Sequence, residues 1–275
     1  MKFPFTKFSI FVFICWCLPA TAKIILHTDN AHDLASFKQS DMRSLSSETN
    51  ILALTQQTHK LHFEFVPLKR SLKFMAKGQS ICITNKIKTH QRAQQFIFSK
   101  PINLFLGRRL YQFSDLSSQG INEPISLAEL FVQYPQRRLI VSDQISYGDK
   151  LDQKITKLPE QNKIVRRGAS HVQGILDMFS EKRGEYALFY PLEMSAKQWQ
   201  ESTVSYTVAG IEPYLLGRLM CVNNPETRQF IKKVNKQIDT LNQDGALLRA
   251  HLKYYHSDFH QDVTRFVTAE FLAPH

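Results

Sequence analysis

Beyond residue 23, apolar positions recur along the chain with two alternating periods. Ile24, Ile25 and Leu26 open as a short buried strand, and Leu61, Phe63 and Phe65 alternate with His62 and Glu64 as in a half-buried strand. Leu68, Leu72 and Met75 then follow at helical spacing, stopped by Gly78. Residues 81–84 and 104–111 read as strands, and a Ser-, Gly- and Pro-rich stretch over 114–124 breaks the pattern. Alternation restarts with a helix over 126–132, a strand over 138–142, and a helix whose apolar face is Leu151, Ile155 and Leu158. Ile164 and Val165 form a strand, 175–179 a helix and 185–189 a strand; later, Phe230, Ile231, Val234, Ile238 and Leu241 share one helical face. Repeated strand–helix units imply parallel sheets covered by helices. Two such runs, parted at 114–124, imply two α/β lobes.

The N-terminus follows neither period. Lys2 and Lys7 flank no acid, residues 8–18 (FSIFVFICWCL) are almost wholly apolar, and Ala20 and Ala22 supply small residues after Pro19. This is the order of a secretory signal, with cleavage expected after Ala22; a bilayer-spanning helix needs roughly twenty apolar residues. Residues 1–22 are therefore expected to leave, and the mature protein to be periplasmic. The formal charge of +11 falls to +9, because Lys2 and Lys7 go and no acid does. Export removes nucleic acid as a partner for the remaining positive charge. It also removes Cys15 and Cys17, leaving Cys82 and Cys221 in apolar, strand-like settings. In an oxidising compartment these two form a disulfide or stay as buried free thiols.

Residues 67–101 read PLKRSLKFMAKGQSICITNKIKTHQRAQQFIFSKP. A helix ends at a Gly, a strand follows, then Thr89-His90-Gln91-Arg92, then Phe98-Ser99-Lys100-Pro101. This order resembles the family-3 extracellular solute-binding proteins of the amino-acid ABC transporter type, whose first lobe carries helix–Gly–strand–T-x-x-R and then F-S-x-P. Ser146, Tyr147 and Gly148 before Leu151 look like that family's second-lobe turn into a helix. MFSEKRGEYALF (178–189) looks like its helix-to-strand passage with Glu185 in the acidic slot, and MCVNNPETRQFIKKVNKQIDTLNQDG (220–245) like its return strand and terminal helices. The resemblance implies an α/β, two-lobed periplasmic binding protein fold (type II), each lobe a mostly parallel sheet flanked by helices and joined by hinge strands. Lobe 1 is expected over 23–112, lobe 2 over 113–210, and the return to lobe 1 with C-terminal helices over 211–275.

The resemblance further implies that Arg92, the Arg of T-x-x-R, grips a ligand carboxylate, for which a planar guanidinium fork is well suited. Thr89 is placed to cap the helix that follows. Ser146 and Tyr147 stand where a helix begins, and free N–H groups there favour an anion. Arg70 lies on an amphipathic helix that either faces the cleft or is solvated. Two positions depart from the family: Tyr190 stands where an Asp holds the ligand ammonium, and residues 31–37 replace a Pro-Pro-aromatic turn. Tyr190, Phe37 and Tyr147 would suit stacking or apolar contact with a ligand. The expected protein is a monomeric, non-catalytic binder of a small anionic or amino-acid-like solute, serving transport or chemoreception through a membrane permease or receptor, without a cofactor.

Two other readings remain open. Gly168-Ala169-Ser170-His171-Val172 begins like a nucleophile elbow but lacks the final Gly, leaving an enzyme on this fold as one alternative. His256 and His260, four residues apart near His251, Asp258 and Asp262, suggest a metal pair on a C-terminal helix; His27, Asp29, His32 and Asp33 form a second such group. No membrane span or signalling domain follows the lobes as far as His275, which favours a free-standing protein over a covalently linked sensor.

Overall fold

The computed structural model describes residues 24–39, 42–116, 123–143, 146–167, 171–195 and 200–272. The expected signal segment and residues 168–170 of the elbow-like motif lie outside them. The first lobe starts with β1 (Ile24–Thr28), α1 (Ala31–Gln39), α2 (Leu45–Leu54), β2 (Leu61–Phe65), α3 (Leu68–Ala76), β3 (Ile81–Lys86), α4 (His90–Ala93), β4 (Phe96–Phe98) and β5 (Asn103–Leu106). The second comprises β6 (Arg109–Phe113), α5 (Leu127–Gln133), β7 (Leu139–Ser142), α6 (Asp149–Thr156), β8 (Lys163–Arg166), α7 (His171–Ser180), β9 (Tyr186–Phe189), α8 (Pro191–Met194) and β10 (Thr203–Thr207). The chain then returns through β11 (Tyr214–Val222), α9 (Pro225–Gln243), α10 (Ala246–Tyr254) and α11 (His260–Phe271). Among the described residues no helix is long and apolar enough to cross a membrane.

Local chemistry accounts for many of these boundaries. Ser44 caps α2 in a reciprocal capping box, Ser126 caps α5, and Asn224 caps α9 with Pro225 at its first position. Gly78, at φ +78, ends the α3 segment in a left-handed turn that a Cβ would disfavour. The predicted stripe on α9 is buried throughout, so that helix is held by its packing.

The sheets are mixed rather than mostly parallel. In the first, ordered β2-β1-β3-β11-β4, the first three strands are parallel, and β11 runs antiparallel to β3, β4 and β5. In the second, ordered β10-β6-β9-β7-β8, only β9, β7 and β8 are parallel. The strands that come straight from a lobe crossing supply the antiparallel pairs. Each sheet has its own core: Leu26, Leu54, Leu104, Val234 and Ile238 lie in the first, and Leu110, Ile140, Phe179 and Leu188 in the second. Cys82 on β3 stands opposite Cys221 on β11, and their sulfurs are joined by a disulfide.

The expected single strand over 104–111 is two strands in different sheets. The chain passes from the first sheet to the second at Gly107 and Arg108 and returns between β10 and β11. The crossings touch: Gly107 N–H donates to Pro213 O at 2.7 Å. A Cβ on Gly107 would lie 2.3 Å from Glu212 O, a backbone atom that has no side-chain freedom to yield. Gly107→Ala is therefore expected to destabilise the protein by about 1–3 kcal/mol, as overpacked sites do. A urea midpoint equal to that of the parent would show that the two crossings part without cost.

Candidate functional site

The crossings form the floor of a cleft between the lobes. A cavity of about 430 Å³ there is lined from the first lobe by Ile87 and Leu215, from the second by Ser146 to Leu151 and Tyr190, and from the crossings by Gly107, Arg108, Ile211 and Glu212. That volume is within the range of small-molecule sites.

Arg108 is the central charged group. It follows Gly107, so its side chain leaves the first crossing beside β6 and enters the second lobe. Its Cζ lies 4.1 Å from the ring centroid of Tyr190 and 4.9 Å from that of Tyr147, distances at which the ring faces attract a guanidinium. Nη1 donates to Leu188 O at 3.3 Å and stands 3.8 Å from Glu193 Oε2. The side chain is only 10% exposed. Its Nε has no hydrogen-bond partner among the described residues, and a buried donor left in this state is costly.

The flanking groups are fixed by their own bonds. Ser142 N–H donates to the Tyr147 hydroxyl at 3.0 Å. Burial raises the Tyr147 phenol above its ordinary value, opposed by the Ser142 bond and by Arg108. Glu193, at the third position of α8, accepts Tyr190 N–H at 2.8 Å. Burial raises its carboxyl above the usual range, again opposed by Tyr190 N–H and Arg108. At the mouth, Lys150 on α6 pairs with Glu212 at 2.6 Å, both well exposed.

Ser146, Tyr147 and Tyr190, singled out from sequence, thus come together with Arg108. Their local roles differ from those expected. Gly148, not Ser146, is the residue preceding α6. Tyr147 N–H donates to Asp152 Oδ1 at 2.8 Å, and Gly148 N–H to Ser146 Oγ at 3.1 Å. Those donors are taken within the turn, which places an acid, not a vacant anion seat, beside them. The Tyr147 and Tyr190 rings face the Arg108 guanidinium.

Arg92 and Thr89 lie on the segment that follows Ile87. Thr89 caps α4, its Oγ1 accepting Arg92 N–H at 3.3 Å. Arg92 Nη1 donates to the carbonyl of Ile87, a wall residue, at 3.1 Å, and Arg92 is not among the residues lining the cavity. Phe37 and Arg70 belong elsewhere. Phe37 is buried in the first core with its ring 5.1 Å from that of Phe63, and Arg70 is exposed on α3 with its Cζ 5.4 Å from the Phe74 ring. An aromatic or cationic residue type does not disclose which face of its helix meets the cleft.

The metal reading loses its helix. His256 precedes a short 3-10 turn and His260 begins α11, so the pair does not share one helical face. His260 Nε2 lies 3.0 Å from Tyr255 O, while His256 Nδ1 is 3.3 Å from Asp258 Oδ2. His251 is buried in hydrogen bonds to backbone. In the other group, Asp29 pairs with Lys86, Asp33 accepts from Ser46, and His27 lies against Ser71; the His32 side chain lies outside the described residues. No cluster of three metal-ligating side chains occurs among the described residues.

Arg108, Glu193, Ile87, Leu192 and Leu215 escaped the sequence reading. The Gly107-Arg108-Arg109 run was its one available signal, since a Gly inside an apolar strand pattern marks a close backbone approach.

No family model matches this sequence, and no curated protein matches it significantly. Solved structures do match in fold. The probable amino-acid ABC transporter extracellular-binding protein of Bacillus subtilis is 15% identical with a TM-score of 0.59, over 86% of this chain and 98% of its own. An ancestral cationic amino acid solute-binding protein is 13% identical (TM-score 0.58), over 86% of this chain and 96% of its own. The L-cystine solute receptor of Neisseria gonorrhoeae, unliganded and open, is 14% identical (TM-score 0.55), over 86% of this chain and 94% of its own. This chain therefore has the two-lobed fold of the substrate-binding proteins of amino-acid ABC transporters, at identities that mark it as divergent from each of these neighbours.

Proposed function

We propose that the protein is an exported, monomeric, non-catalytic solute-binding protein that closes on a small anionic solute and delivers it to a membrane permease. The observation that carries this reading is Arg108, nine-tenths buried in the wall of the cleft with its Nε unpartnered among the described residues. A ligand anion would supply the missing acceptor, and a charge-assisted bond inside a cleft is strong. Arg92 is the second cation: freed from Ile87, it would close over the ligand from the first lobe. Thr89 holds the turn that carries it, while Ser146, Tyr147 and Tyr190 shape the opposite wall. Contacts from both lobes would exist together only in the closed arrangement, so binding would favour closure.

A thermal-shift screen of the mature protein against amino acids, organic acids and oligopeptides tests this reading, because a ligand that binds the native state alone raises its melting temperature. Arg108→Gln is expected to weaken the best anion by on the order of 2–5 kcal/mol, the usual cost of truncating a buried partner of a charge. Arg92→Ala is expected to weaken it less. Unchanged affinity in Arg108→Gln would remove that residue from the site. Turnover of any compound in the panel would instead favour an enzyme on this fold.

A further inference from the structure

The cleft has a second chamber, and its chemistry differs from that around Arg108. A cavity of about 320 Å³ adjoins the first and shares Ile87, Tyr190 and Leu215 with it. Ile87, Phe105 and Leu215 of the first lobe and Leu192 of the second give it apolar walls. Gly217 lets β5 pack closely at one side of it: a Cβ there would meet Asn103 Cβ at 3.0 Å and Phe105 Cε2 at 3.2 Å.

The polar groups at this chamber are largely engaged. Asn85 Oδ1 accepts from Asn103 Nδ2 at 2.6 Å and from Asn50 Nδ2 at 3.1 Å, while its Nδ2 donates to Ser46 Oγ. Glu193 already accepts Tyr190 N–H. A polar ligand group entering here would lose its water and gain few partners, whereas an apolar group would gain from leaving water. Tyr190 lines both chambers and packs on Arg108, so the apolar space begins beside the buried guanidinium.

We infer, on the solute-binding reading given above, that the ligand is an amphipathic carboxylate: its anionic end takes Arg108, and a branched aliphatic or aromatic body fills the chamber of Ile87, Phe105, Leu192 and Leu215. Apolar α-amino acids and the corresponding acids without an amine share this chemistry. Glu193, the acid that lines the chamber, is the group that would tell the two apart.

The test is isothermal calorimetry on the mature protein with four apolar probes (leucine, 4-methylpentanoate, phenylalanine and 3-phenylpropanoate) and four polar ones (glutamate, glutamine, lysine and cystine). At least one apolar probe is expected to bind, with every polar probe weaker. If the amine-bearing member of a pair binds tighter, and Glu193→Gln removes that preference, the ligand is an amino acid; the reverse order identifies a simple carboxylate. Either result supports the inference. Ile87 is 41% exposed, so Ile87→Asp is expected to keep the fold. A carboxylate placed there should weaken the apolar probe by at least about tenfold, through lost contact and like-charge repulsion. Undiminished binding to Ile87→Asp overturns the chamber assignment. Tighter binding of a polar probe overturns the ligand class and leaves the solute-binding reading standing, while silence from all eight probes counts against both.

Discussion

Loss of the Cys82–Cys221 disulfide is expected to lower the melting temperature by roughly 5–15 °C, from about 2–4 kcal/mol of lost stability in a domain of this size. The bridge joins residues 139 apart in sequence, and closing so long a loop restricts the unfolded chain by about 5 kcal/mol on chain entropy alone. Its position adds to that effect. β11 is the strand through which the chain re-enters the first sheet, between β3 and β4, after passing through the whole second lobe. The bridge ties that returning strand to β3 and so holds α9, α10 and α11 against the lobe formed by the N-terminal part. Both sulfurs are fully buried, so a reductant reaches them only on unfolding. The comparison is therefore between protein refolded with and without reductant, beside a Cys82→Ala, Cys221→Ala double variant. The reduced protein and the double variant should melt together, well below the oxidised parent. Coincident melting of all three would show that non-covalent packing alone sets the return of β11.

Where a local rule decides a feature, the sequence disclosed it. Gly78 ends the α3 segment, Ser126 starts α5, and the five-residue stripe of α9 is buried as its spacing requires. What stayed hidden depends on partners distant in the chain. An apolar run from 104 to 111 reads as one strand, because nothing local reports that Leu104 pairs with Leu216 while Leu110 pairs with Tyr206 and Leu188. The antiparallel entry of β11 is hidden for the same reason, and it makes the sheets mixed. α1 and α2 are not legible in the sequence because residues 31–54 are rich in Ser and carry a weak apolar stripe. The site repeats the pattern. In the sequence Tyr147 and Tyr190 suit stacking on a ligand, yet their rings flank Arg108, which sequence alone presents as half of an Arg pair within an apparent strand. Arg92 belongs to a recognisable motif, and its motif says nothing about the Ile87 carbonyl that its guanidinium meets.

Acid is expected to destabilise the protein through His251, by about 3 kcal/mol between pH 6.5 and pH 4. β5 pairs with β11 on one side, and on its other side the backbone meets side chains of the last helices. Leu104 N–H donates to His251 Nε2 at 2.9 Å, Leu106 N–H donates to the Tyr255 hydroxyl at 3.0 Å, and that hydroxyl reaches Leu104 O at 3.3 Å. Edge groups that would otherwise be unpaired are thereby satisfied just before the chain enters the Gly107 crossing. The imidazole can serve only when neutral. Its Nδ1–H donates to Leu247 O at 2.6 Å, so a proton on Nε2 would displace Leu104 N–H. Burial pushes its pKa down from 6.5 to about 4, with the Leu247 bond opposing. Between those values the unfolded chain binds the proton and the folded protein does not, so stability falls as pH falls through this window and is unaffected above it. His27, also lowered by burial against the opposing charge of Glu64, adds a loss of the same sign. The isolating measurement is therefore a difference: urea unfolding of the parent and of His251→Gln at pH 7, 5.5 and 4.5. The amide of Gln offers one acceptor and one donor without titrating, so the variant should lose less stability on acidification, whatever its stability at pH 7. Parallel losses in the two proteins would mean that the protonated imidazole finds a new acceptor, and that this edge of β5 is not what acid opens.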